Sequence, residues 1–95
     1  MENSVIIKRN NKNFVMHKIG NETLLVPVGS HVMDINALVT LNVTGRYIWE
    51  ILKKKHSVNK IVSEISLMFD VDLATADIDV KKFLDELIKL GGILL

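Results

Sequence analysis

The chain has no cysteine among its 95 residues, which excludes a disulfide framework and thiolate chemistry and leaves any metal site to histidine and carboxylates. That composition fits a reducing compartment. Proline occurs once and glycine five times, too sparsely for a low-complexity linker, so residues 1–95 read as one domain. Long apolar runs are missing as well. Val5-Ile6-Ile7 is far shorter than a signal-peptide core or a membrane span, and the expected location is the cytoplasm. Aromatic residues make up 5% of the chain, and they form no cluster of the kind that stacks on RNA bases.

What is present is a globular composition, 48% hydrophobic and 24% charged, with a formal net charge of +1. The charge is uneven along the chain: residues 1–69 carry nine Lys or Arg against five Asp or Glu, and residues 70–95 three against six. Two β-leaning runs, 14–19 and 22–28, flank Gly20-Asn21, a dipeptide suited to a two-residue hairpin turn. Pro27, with no N–H, belongs at a strand end or on an edge, and Gly29-Ser30 opens a loop through Asp34. The apolar run Ala37, Leu38, Val39, Thr40 and Leu41 predicts a third strand.

From Asn42 the period becomes helical. Asn42 is the expected N-cap of a first helix with Ile48, Trp49, Ile51 and Leu52 on its apolar face, and Lys53, Lys54 and Lys55 suit its C-terminus. Ser57 caps a second helix whose stripe is Val58, Ile61, Val62, Ile65, Met68 and Phe69. Asp72 caps a third, which runs to about Leu90 and stops at Gly91-Gly92, leaving 93–95 as a short strand or tail. Its expected core stripe is Leu73, Ala76, Val80, Phe83, Leu87 and Leu90. Leu84 and Ile88 widen that stripe on one flank, in line with Asp77 and Lys81, and such a flank either broadens the core or lines a groove.

Catalytic signatures are missing: there is no G-x-S-x-G, H-E-x-x-H, Walker or G-x-G-x-x-G pattern, so no enzyme activity and no cofactor are expected. His17, His31 and His56 lack the short spacings that preorganise zinc ligands. Three helices after β-strands also describe a winged helix-turn-helix, but the would-be recognition helix is acidic (Asp70, Asp72, Asp77, Asp79, Asp85 and Glu86) and would repel duplex phosphates. Trp49, beside Ile48 and Leu52, reads as core.

Three segments carry a resemblance: "NFVMHKIGNETLLVPVG", "NALVTLNVTGRYIWEIL" and "VNKIVSEISLMFDVDLATADIDVKKFLDELIKLGGIL". Together, over about residues 6–94, they resemble the PqqD family, named for coenzyme pyrroloquinoline quinone synthesis protein D. The most specific part is Leu41-Asn42, Thr44-Gly45 and Ile48-Trp49-Glu50. The resemblance implies an α+β, winged helix-turn-helix-like fold, an N-terminal three-stranded antiparallel sheet followed by a three-helix bundle. It further implies a noncatalytic, cytoplasmic peptide chaperone, a recognition element for ribosomally synthesised and post-translationally modified peptides. Such a module binds the leader of a precursor peptide as an added strand and presents it to a modifying enzyme, often a radical S-adenosylmethionine protein. Carried over by position, the peptide-binding residues are Ala37, Leu38, Val39, Thr40 and Leu41 on the strand, with Asp77, Lys81, Leu84 and Ile88 on the helix. No nucleic acid, membrane or cofactor is implied, and the module is a monomer or homodimer. Lys81 and the N-terminal bases would steer an acidic leader. Val43, where the family commonly has a polar residue, and the Gly91-Gly92 pair depart from the pattern, leaving open both pyrroloquinoline quinone and another peptide product. The reading favours another peptide. The alternatives are a winged-helix DNA-binding regulator and a structural adaptor or homodimer paired through the same edge.

Overall fold

The computed structural model describes residues 1–29 and 38–95. The hairpin forms where Gly20-Asn21 predicts it, joining β2 (Phe14–Ile19) to β3 (Glu22–Pro27). Gly20 sits at φ +61°, a left-handed conformation that costs glycine little, and Asn21 does not, the pattern of a type II′ turn. The third strand of this antiparallel sheet, β4, spans Val39–Leu41 and pairs with β3, so the strand order is β2–β3–β4. Ala37, the first residue of the expected strand, lies outside the described residues. Leu38 is described and precedes the strand.

Register fixes which backbone groups are left over. A two-residue turn makes Ile19 and Glu22 a hydrogen-bonded pair, and pairs then alternate, so Leu24 bonds towards β2 while Thr23 and Leu25 bond towards β4. Val39 and Leu41, opposite Leu25 and Thr23, spend their N–H and C=O groups on β3. Thr40 therefore points its N–H and C=O outward along the sheet edge. Side chains alternate the other way: Leu41 is buried and Val39 half-buried on the core face, and Thr40 is exposed on the opposite one.

Helix ends follow the expected chemistry. The Asn42 side chain accepts the Gly45 N–H (2.8 Å) at the start of α1 (Val43–Ile51). Ser57 and Asp72 do the same, through Lys60 and Thr75, for α2 (Val58–Phe69) and α3 (Leu73–Lys89). Asp70, left-handed at φ 52°, closes α2. Gly91, at φ +80°, closes α3, and the Gly92 N–H reaches back to the Leu87 carbonyl at 2.8 Å. The core gathers Phe14 and Leu25 from the sheet with Ile48, Trp49, Ile61, Val80, Leu84 and Leu87 from the helices. Trp49 is 1% exposed, a core residue as its neighbours imply. Met68, in the last turn of α2, and Leu73, the first residue of α3, are expected on buried stripes and are instead 57% and 60% exposed.

The architecture is α+β, a three-stranded antiparallel sheet followed by three helices. A second small sheet adds to it. β1 (Ile6–Arg9) lies between β5 (His56–Ser57) and β6 (Ile93–Leu94), with Ile7 opposite His56 and Arg9 opposite Ile93. Arg9 stacks over the Trp49 ring at 5.5 Å, and its Nη1 donates to the Trp49 carbonyl (3.2 Å). The Asn13 Nδ2 donates to the Gly91 carbonyl (2.8 Å) and the Asn10 Nδ2 to the same oxygen (3.2 Å), so the loop after β1 is fastened to the end of α3.

Candidate functional site

The open edge of β4 runs beside α3, and two hollows lie along the seam. One, of about 430 Å³, is lined by Leu38, Val39, Thr40, Glu86, Lys89 and Leu90. The other, of about 350 Å³, brings Asn42, Thr44 and Gly45 of the turn into α1 against Asp79, Lys82, Phe83 and Glu86, with Ile48 at its base. Glu86 borders both, so the two form one cleft. Strand numbers rise from Leu38 to Asn42 as helix numbers fall from Leu90 to Asp79, so β4 and α3 run antiparallel.

Gly45 sets the width of the second hollow. A Cβ there would stand 3.2 Å from the Phe83 ring and 3.3 Å from Asn42 Oδ1, so a larger residue would press α1 away from α3 or fill the gap. Phe83 and Leu90 are half-buried, their inner parts packed on the core and their outer parts facing the cleft. Asp79, Lys82, Glu86 and Lys89 have no ion-pair partner among the described residues.

The strand residues singled out in the sequence are brought to this cleft: Leu38 is 50% exposed, Val39 half-buried and Thr40 exposed, while Leu41 turns its side chain into the core. The helix residues are not. Leu84 is fully buried. The Asp77 Oδ1 accepts from Asn3 Nδ2 (3.2 Å) and its other oxygen pairs with Lys81 Nζ (3.1 Å), while Ile88 packs against the core. At 100° per residue, Asp77, Lys81 and Ile88 lie within about 40° of one another on one side of the buried row Ala76, Val80, Leu84 and Leu87. Asp79, Phe83, Glu86 and Leu90 lie on the other side, the side of β4. The buried row is turned about 25° from the stripe that the sequence suggests, enough to make Leu84 core and leave Phe83 and Leu90 as its cleft-side margin.

The engaged flank has a measurable electrostatic consequence. The Asn3 amide, and then Lys81, hold the Asp77 carboxyl below its ordinary 3.8. Thr75, whose backbone N–H the Asp72 side chain caps, lowers Asp72 in the same direction. Among the described residues no three His or carboxylate side chains converge as metal ligands, and no helix is long and apolar enough to cross a membrane.

Searches among curated proteins and among solved structures returned no match. A family model does match, over residues 22–93, a span that takes in β3, β4, all three helices and hence every residue of the cleft, but not β1 or β2. The chain therefore belongs to the family of coenzyme PQQ synthesis protein D (PqqD), noncatalytic accessory, peptide-binding proteins of that synthesis.

Proposed function

We propose that the protein binds the leader segment of a precursor peptide as a fourth strand on the edge of β4 and presents it to a modifying enzyme, a radical S-adenosylmethionine protein or another. The observation that carries this is the outward N–H and C=O of Thr40 beside a cleft that presents both apolar and polar side chains. An added strand takes general affinity from the ladder and selectivity from alternate side chains that enter the cleft. The Leu38–Leu90 end suits an apolar anchor.

The sheet has a second edge, on β2, where the same alternation leaves Met16 and Lys18 pointing outward. The family match favours β4, because residues 14–19 lie outside it. Leu38 has the same parity as Thr40, giving roughly four ladder hydrogen bonds at about 1 kcal/mol net each. Two buried apolar anchors add about 1.5–3 kcal/mol apiece. Association and ordering consume part of the sum, which places the expected Kd near micromolar. The protein itself supplies no covalent step; it holds and delivers.

Amide NMR shifts during titration with a synthetic leader peptide test the edge. The expected shifts concentrate at 38–42 and 79–90, and a response at Met16 and Lys18 instead would move the site to β2. Thr40→Pro removes an outward N–H without touching the bonds to β3, so it should weaken binding about tenfold with the fold intact. Unchanged affinity in a folded variant would refute the assignment.

A further inference from the structure

We infer that the hollow at the Asn42 end of the cleft is a selectivity subsite for a basic side chain, lysine or arginine, of the bound peptide. The inference rests on strand addition at β4 and adds the chemistry of one position.

The hollow has an apolar floor and a charged rim. Ile48 and the Phe83 ring face a space kept open by Gly45, where even one added carbon would meet the ring at 3.2 Å. That floor suits the methylene stem of a long side chain. On the rim, Asp79 and Glu86 are two helical turns apart, within about 20° of the same direction, so their carboxylates stand on either side of Phe83. Lys82 is turned about 60° from Asp79 towards solvent, and Lys89 stands beyond Glu86 in the neighbouring hollow, so this hollow holds two carboxylates and one ammonium. Neither carboxylate has an ion-pair partner among the described residues. At the competing positive end of α1, one donor is already taken, since Asn42 Oδ1 accepts the Gly45 N–H. By contrast Lys81, the base that the sequence suggests would draw an acidic leader, is paired with Asp77 on the far flank.

Three short blocked synthetic peptides, alike except for arginine, norleucine or glutamate at one cleft-facing position, separate the possibilities, with affinity and the Thr40 amide shift as readouts. The arginine peptide should bind about fivefold tighter than the norleucine peptide at low salt, and the glutamate peptide should bind weakest. Added salt should shrink the difference. In the doubly substituted protein Asp79→Asn, Glu86→Gln, whose exposed side chains contribute nothing to the core, the preference for arginine over norleucine should vanish. Equal affinities with the Thr40 shift retained would overturn the subsite and leave strand addition standing. No Thr40 shift with any of the three would overturn strand addition and the subsite with it.

Discussion

The two flanks of α3 carry similar residues and are put to opposite uses. On one, Asp77 and Lys81 are tied to each other and to Asn3, with Ile88 laid on the core. On the other, Asp79, Lys82 and Glu86 have no ion-pair partner among the described residues, and Phe83 packs on the core from one side and lines the cleft with the other. Composition does not distinguish them, since each offers at least one acid, a lysine and a large apolar side chain. The N-terminal segment covers one flank, and the other is left beside a strand whose outer edge is bare among the described residues. A helix in a small domain thus has one margin that fastens it and one that it can offer to a partner.

Substitutions at neighbouring positions should separate these uses. Leu84→Ala empties a fully buried site and should destabilise the protein by about 2–5 kcal/mol in chemical denaturation. Affinity for peptide, measured where the variant remains folded, should change little. Phe83→Ala, one residue earlier, should cost less stability, about 1–2 kcal/mol for a half-buried ring. It should also weaken peptide binding, which calorimetry would resolve. If the two variants lost stability and affinity in the same proportion, the division between flanks would fail. Gly45→Val should reduce affinity more than stability, because the added carbons project into the hollow against Phe83, and a clash that melted α1 would show as lost helicity instead.

The smallest effect should come from the fastened flank. Because the folded-state carboxyl of Asp77 is lowered, its contribution is fully present above the ordinary value of 3.8 and is lost as pH falls through the lower folded value. Asp77→Asn should therefore flatten the dependence of stability on pH below about 4, leaving the slope near neutrality unaltered. Acid titration followed by Trp49 fluorescence would check it, and an unchanged acid limb would mean that the Asn3 and Lys81 contacts contribute nothing.

Much of this arrangement is legible in the residues. Gly20-Asn21 between β-leaning runs gives the hairpin, and Asn42, Ser57 and Asp72 mark three helix starts, because turns and caps are local chemistry. The spacing of α2 shows its buried residues for the same reason. The phase of α3 is harder to read. Phe83 and Leu84 are both large and apolar, and a choice between them depends on where the sheet and the N-terminal segment stand, which no local pattern records. The small sheet is hidden more deeply, since β5 and β6 have two residues each and periodicity has no meaning at that length. The cleft shows the same division: its strand is visible as an apolar run, and its helix wall becomes visible only once the helix has been turned to its true phase.

The pairing of β1 bears on how the molecule is made. Its partners are near residues 56 and 93, so β1 is synthesised well before either strand that it pairs with. Ile7, which ends 1% exposed, pairs with His56, but the loop that will hold the Gly91 carbonyl has nothing to hold until α3 is complete. Contacts this distant are slow to close. The hairpin closes through local contacts, whereas the pairing of Lys8 and Arg9 waits for β6, so a chain truncated before Ile93 should be more protease-sensitive at β1 than the whole chain, with the hairpin at 14–27 still protected.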